Sequence, residues 1–215
     1  MGNCSVPGCN RPQWAKGLCN KHCHQLYKHG QIQKRTIADP NEFIIDGDIC
    51  WIILYNKQCI EVARAKIDTK YYKIIEKSKL KWCNIFGGYV MASWHDNGKQ
   101  QRISLHDAII QLSGQEVPDG YEIDHKDRNP LNCLEENLRV CVHLQNSHNK
   151  TKNTNNTSGY KGVSWDKTKQ KWQAQITINY KHIRLGNFDT PIDAAKAYNI
   201  AAIKYHGEFA VLNNV

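Results

Sequence analysis

Asp124 and His125 stand together at the end of a short apolar run, just ahead of the polar stretch KDRNP. A lone Asp–His pair says little. The residues behind it supply the rest of a site: Asn129, Pro130 and Asn132 shape a loop, Asn137 opens a second apolar run, and Asn146 follows on a stretch with helical spacing. Cleaving a phosphodiester needs a nucleophilic water, a base to take its proton, and stabilisation of charge at the phosphate and the leaving oxygen. Histidine suits the base, because it titrates near neutrality. A carboxylate and an amide oxygen, from Asp124 and Asn146, suit a hard divalent cation acting as Lewis acid and template. One histidine beside two oxygen ligands fits magnesium or manganese better than zinc, whose catalytic sites take more nitrogen. On a helix His143, Asn146 and Asn149 recur every three residues and share a face. These neighbours and His148 leave the helix ligand open by one turn.

A second constellation lies near the start. Four residues separate Cys4 from Cys9, and two separate Cys19 from His22. Thiolates and an imidazole suit a closed tetrahedral zinc site, and Pro7-Gly8 forms a turn that lets the first two sulfurs face one ion. Cys4, Cys9, Cys19 and His22 are the expected ligands, with Cys23 or His24 as alternatives to His22. Residues 1–30 hold too little apolar content for a core, so a structural metal replaces one.

These groups need elements to position them. The stretch YEIDH reads as a strand, NLRVC (137–141) as its partner, and VHLQNSHNK as a helical segment, which together can gather Asp124, His125 and Asn146. Upstream, residues 50–65 read as two strands joined by a polar turn, and Asp68 as the N-cap of a short helix with Tyr71, Ile74 and Ile75 on one side. Asn97-Gly98 is a strong hairpin turn and precedes another short helix. Residues 150–159, KTKNTNNTSG, have almost no apolar content and read as a linker.

The last module is the easiest to read. Three strands are expected, near 160–165, 171–178 and 182–188. The middle one alternates, with Trp172, Ala174, Ile176 and Ile178 on one face and Lys171, Gln173, Gln175 and Thr177 on the other. Thr190-Pro191 then opens a helix that Gly207 ends. Its alanines keep it thin enough to lie close on the apolar sheet face. The other face is cationic and amide-rich, as a sheet entering a DNA major groove requires.

Composition sets the outer bounds. Twenty-nine Lys+Arg against 20 Asp+Glu give a net charge of +9, which suits a polyanionic partner. No apolar run approaches the roughly 20 residues that span a bilayer. The absence of an apolar leader, with 9 cysteines of which Cys4 comes almost at once, points to an intracellular, reduced protein that binds metal rather than forming disulfides.

Asp-His at a strand end, then Asn-Leu-Arg, then an Asn on the following helix resembles the HNH endonuclease family, close to its phage and mobile-element homing members. The resemblance implies a ββα-metal fold in which Asp124 and Asn146 are metal ligands, His125 is the general base and Asn137 holds the loop and orients His125. SLHDAI is similar to an upstream Leu-His segment of that family, which makes His106 an accessory candidate. Arg128 stands where the family commonly shows Gly. Short N-terminal zinc modules of this type resemble those ahead of phage HNH domains.

The strings YKGV, LGNFDT and DAAKAYNIAAIKYHGEFAVLN are similar to the APETALA/ethylene-response-factor DNA-binding domain. By position, that resemblance directs Lys161, Gly162, Ser164, Gln175, Thr177, His182 and Arg184 to DNA. This sheet carries fewer Arg than the plant domains.

The expectation is thus an α+β, multidomain protein. It comprises a zinc module (1–30), an HNH nuclease domain (43–150, core 118–150), a linker (151–158) and a three-stranded antiparallel sheet packed on one helix (159–215). Its activity would be metal-dependent, site-directed hydrolysis of double-stranded DNA, nicking one strand per monomer. The alternative is a DNA-binding regulator with an inactive nuclease module. An RNA binder is disfavoured because the sheet lacks exposed aromatic stacking residues.

Overall fold

The computed structural model describes every residue except Met1, Gly8, Gln33, Lys34 and Phe86, and all described side chains but that of His29. The Pro7-Gly8 turn therefore lies partly outside the described residues. The fold mixes helices with several small antiparallel sheets.

The N-terminal stretch contributes α1 (Asn20–His29), which Gly30 ends in a left-handed conformation. Among the described residues only Cys4, Leu18 and Cys19 form a buried apolar cluster there, with Val6, Cys9, Cys23 and Ile32 around it. Apolar burial on that scale does not fold a segment by itself.

The first sheet has the order β1 (Glu42–Asp46), β2 (Ile49–Tyr55), β3 (Glu61–Asp68). β2 and β3 are the two strands read from the sequence. β1 was not anticipated, and it pairs with β2 through a tight turn at Gly47, φ 57°. α2 (Thr69–Lys77) follows as expected but buries only Tyr71 and Ile75, while Ile74 is exposed. Nor does Asp68 cap its own helix: its Oδ2 accepts from the Glu135 N–H at 2.8 Å. A long-range partner has taken the carboxylate from the local one.

A second sheet, β4 (Trp82–Asn84), β5 (Val90–Asp96), β6 (Lys99–Ser104), carries the expected hairpin. Asn97 and Gly98 both have positive φ (48° and 75°), as a two-residue turn of matching twist requires. Ser104 Oγ then accepts from Asp107 N and starts α3 (Leu105–Leu112). One core joins these pieces. Cys50, Ile52, Leu54 and Ile67 meet Trp82, Val90, Leu105 and Ile109, and Cys133 and Leu138 enter from the stretch that carries Asp124 and His125. Residues 50–110 thus form the wall on which the site is built.

β7 (Tyr121–His125) and β8 (Leu138–Val142) form an antiparallel pair, and α4 (His143–His148) follows directly. The C-terminal sheet has the order β11 (Lys181–Phe188), β10 (Lys171–Ile178), β9 (Val163–Asp166) and packs on α5 (Pro191–His206). Thr190 Oγ1 accepts from Asp193 N at 3.1 Å with Pro191 in the first turn, the start read from the sequence. Ala194, Ala195, Ala201 and Ala202 are buried, so the helix backbone approaches the sheet closely. The alternation of β10 is kept, and the register against β11 shifts once: Ala174 faces Gly186 and Gln175 faces Arg184, leaving Leu185 of β11 as the extra residue of a bulge. Among the described residues no helix is long and apolar enough to cross a membrane.

Candidate active site

In the β7–β8 pair Asp124 lies opposite Arg139 and His125 opposite Leu138. The loop between the strands is held from within by one buried side chain. Asn137 Nδ2 donates to Asp127 Oδ1 (3.0 Å) and to the Asn132 carbonyl (2.8 Å), and its Oδ1 accepts from Asp127 N (3.1 Å). Asn132 Nδ2 adds a bond to the other Asp127 oxygen at 2.6 Å. From outside, the loop is stitched to the edge of β3: Lys66 N donates to the Leu131 carbonyl and Cys133 N to the Lys66 carbonyl, each at 2.9 Å. Glu135 then anchors to Lys70 and Tyr71 of α2, at 2.5 Å to each. A loop fixed at so many points sets where β7 ends.

His125 is buried there, at 5% exposure. The His106 ring stands edge-on to it at 5.1 Å and Tyr89 lies 6.0 Å away. Burial, then the neighbouring His106, hold the His125 pKa down to about 4. The imidazole is therefore neutral at pH 7, the form able to accept a proton. His106 is lowered too, by its own burial.

Asp124 is 6% exposed and fully engaged. Its Oδ2 accepts a fork from Arg139 Nε (2.9 Å) and Nη2 (2.7 Å), and Asn149 Nδ2 reaches both carboxylate oxygens at 2.9 and 3.0 Å. Asn149 also donates to the His125 carbonyl at 2.9 Å. Asn146, one turn earlier, donates instead to Glu122 Oε2 at 2.7 Å, and His143 pairs with the other Glu122 oxygen. The Asn146 bond, then the His143 bond, hold the Glu122 carboxyl below its usual range.

Asp124, His125, Asn146 and Asn149 nevertheless open on one cleft of about 290 Å³, together with Tyr89 and Arg128. Neither Asn137 nor His106 lines it. Arg139, Glu122, Asp127 and Tyr89 were missed. Arg139 could have been found, since a residue directly opposite Asp124 shares its face, but that requires the register.

Arg128 has φ 63°, the left-handed region that favours glycine, so the family's usual residue has a steric reason. Arg128→Gly is expected to leave stability unchanged or raise it by up to about 1 kcal/mol in a urea melt, the relief of strain offsetting the added chain entropy. The salt slope of DNA binding should fall by about one, the signature of a lost phosphate contact.

Near the N-terminus, ligand atoms of Cys4, Cys9, Cys19 and His22 all lie within 4.8 Å of one another, and this group could hold a metal ion. His22 Nδ1 is 3.1 Å from Cys4 Sγ and 3.5 Å from Cys19 Sγ. The alternatives point elsewhere: Cys23 Sγ donates to the Ala15 carbonyl at 3.2 Å, and His24 is exposed. Burial opposes a thiolate at Cys4, but the hydrogen bond with His22 and backbone bonds outweigh it and lower its pKa to about 6.

In the last module Lys161, Gly162, Ser164, Gln175, Thr177 and His182 line a groove of about 440 Å³. Arg184 lies outside it, opposite Gln175 on β11. Lys161 is drawn inward: its Nζ donates to the carbonyls of His148 (2.6 Å) and Lys150 (2.5 Å), and burial lowers its pKa to about 8. Gly162 is confined by packing, because a Cβ there would lie 2.1 Å from the Tyr198 ring.

Residues 106–148 match the family model described as HNH endonuclease, and residues 158–208 match that of the AP2 domain. The chain is 35% identical over 105 residues to protein 3.8 of Escherichia phage T7, covering 49% of this chain and 86% of the phage protein. It is 29% identical over 189 residues to an uncharacterized HNH endonuclease of Acanthamoeba polyphaga mimivirus, covering 87% of this chain and 94% of the viral one. An APETALA2-like protein of rice is 41% identical over 59 residues, all within 13% of its own length. These matches define a nuclease joined to a DNA-binding domain. The chain belongs to the HNH endonuclease family and carries an AP2 domain at its C-terminal end.

Proposed function

We propose that the protein is a metal-dependent, site-directed endonuclease of the homing or mobile-element type that acts inside cells on double-stranded DNA, nicking one strand per monomer. The observation that carries this reading is the convergence of Asp124, His125 and Asn146 on one cleft above the loop that Asn137 locks. The working division is a metal module (1–30), a nuclease domain (43–150, core 118–150), a linker (151–158) and a DNA-binding domain (159–215).

Asp124 and Asn146 would hold magnesium or manganese. The donor set fits a hard cation, since a carboxylate and two amide side chains face the same cleft. When bound, the cation supplies Lewis-acid stabilisation of the phosphate and leaving oxygen. The remaining work falls to the chain. His125, neutral and held beside the cleft, takes a proton from water as its oxygen bonds to phosphorus. The bond from phosphorus to the 3′-oxygen breaks, leaving a 3′-hydroxyl once that oxygen takes a proton from solvent, and a 5′-phosphate. Asn137 acts as a positioning residue by fixing the segment that follows His125. His106 packs behind the base and restrains its ring. Lys161, Gly162, Ser164, Gln175, Thr177, His182 and Arg184 would meet the DNA.

The alternative, a DNA-binding regulator with a silent nuclease module, has one observation in its favour: Arg139 already occupies Asp124 Oδ2. Incubating the protein with supercoiled plasmid tests the two readings. Conversion to open circles with magnesium or manganese, blocked by EDTA, supports the nuclease. Binding without conversion in either metal supports the regulator.

We assign zinc to Cys4, Cys9, Cys19 and His22, a thiolate-rich tetrahedral set. One zinc per chain is expected by metal analysis. A strong chelator should open residues 1–30 to limited proteolysis while residues 42–215 stay protected, because metal affinity and folding are one free energy in so small a module. Unchanged resistance of residues 1–30 after metal removal would contradict the assignment.

A further inference from the structure

We infer that the nuclease cleft and the AP2-domain groove form one continuous track for a single DNA duplex, so that the cut falls at a fixed short offset from the bound sequence. The offset part rests on the nuclease reading; the track part does not. Three observations carry it.

The first is continuity. Lys150 and Thr151 line both the cleft that holds Asp124 and His125 and the groove that holds Gln175 and Thr177. The second is charge. Among the described residues no carboxylate lines the groove, and Asp124 is the one acidic side chain lining the cleft. Arg128, Lys150, Lys152 and Lys161 lie along the way. A cationic path interrupted only by a proposed metal ligand fits a polyphosphate backbone.

The third is the joint. The His148 ring at the end of α4 stacks on the His206 ring at the end of α5, 3.6 Å apart and 10° from parallel. Lys161 Nζ bonds the His148 carbonyl. The Arg139 guanidinium lies 3.5 Å over the Phe209 ring and donates to the Glu208 carbonyl at 3.0 Å while it holds Asp124. One side chain thus joins the site carboxylate to the turn that follows α5.

The distinction from a simple tether is quantitative. Residues 151–158 read as flexible, and an eight-residue flexible chain has an end-to-end spread of roughly 15 Å. At about 3.4 Å per base pair that spread smears the cut over about four positions. A docked joint restricts it to one or two.

The probe is a duplex enriched from a random-sequence pool by the full-length protein with magnesium and manganese withheld and its zinc retained. Hydroxyl-radical footprinting of the His125→Ala protein on that duplex should show one unbroken protected tract. Arg128→Glu, which changes a residue lining the cleft alone, should lose protection at the cleft end of the tract only. With magnesium, the wild type should cut within or at the edge of that end. A Gly-Ser insertion between residues 154 and 155 should leave the cut within one base pair, because the joint and not the linker sets it. The double variant Phe209→Leu, His206→Gln should spread the cut over about four positions.

Two protected blocks separated by an open stretch, or a cut that spreads on linker insertion alone, would overturn the inference while leaving the nuclease standing. An unbroken tract trimmed at its cleft end by Arg128→Glu, with no cutting in any metal, would overturn the nuclease reading and support the shared track.

Discussion

His125→Ala is expected to lower the rate of plasmid nicking by about 10²–10⁴-fold, the usual contribution of a positioned general base, with DNA affinity unchanged. A loss of that size corresponds to about 3–5 kcal/mol of transition-state stabilisation. The structure says why little else should change. Among the described residues the ring's side-chain hydrogen-bond contact is a long one, Nε2 to Cys133 Sγ at 3.8 Å, and the loop beside it is fixed by Asn137, Asn132 and the β3 edge. Asn137→Ala provides the contrast. It removes two donors and an acceptor from a buried site and leaves the Asp127 N–H and the Asn132 carbonyl without their partner, which costs about 1–3 kcal/mol for each group left unsatisfied. Nicking and melting temperature should therefore fall together for Asn137→Ala, whereas nicking alone falls for His125→Ala. Parallel plasmid assays and thermal melts separate the two. A His125→Ala protein that still nicks at more than a tenth of the wild-type rate would remove His125 from the base role.

The parts legible in the sequence were those governed by local rules. Thr190-Pro191, Asn97-Gly98 and the alternation of β10 each encode their geometry within a few residues, and each stands where it was read. The parts that were not legible depend on partners far along the chain. Asp68 reads as a helix cap, but its carboxylate is claimed by Glu135 N. Ile74 fits an apolar helix face, but the sheet covers only the Tyr71–Ile75 side.

The site shows the same split. Its residue types and order were visible, because the chemistry restricts them. Its wiring was not. Asn149 rather than Asn146 bonds Asp124, and Arg139 supplies the fork, because the β7–β8 register and the turn into α4 set these contacts. Arg139 could not have been given its second role from sequence at all, since Glu208 and Phe209 lie about seventy residues on.

Gly162→Ala is the substitution expected to damage the AP2 domain most. The glycine has φ 74°, where an L side chain is strained by about 1–2 kcal/mol. An added Cβ would lie 2.1 and 2.4 Å from two Tyr198 ring carbons and 2.7 Å from the Gln175 carbonyl oxygen. Neither neighbour can yield. Tyr198 is 2% exposed on the face of α5 that carries the buried alanines, and Gln175 sits in the middle strand with its N–H already bonded to the Gly162 carbonyl at 2.8 Å. Overpacking adds about 1–3 kcal/mol, so the total approaches the whole stability of a module of this size, about 3–8 kcal/mol. The expected result is a new low-temperature transition in a full-length melt, with DNA binding lost and the rest of the chain folded. A contact role alone predicts the opposite pattern: weaker DNA binding with an unchanged melt. The double substitution Gly162→Ala, Tyr198→Ala decides between them. If packing is the reason for the glycine, removing the ring should make the second change cost less than it does in the wild type, a coupling of about 0.5–3 kcal/mol. Strict additivity would mean that Tyr198 is not what forbids the side chain, and the glycine would return to being a residue read only by DNA.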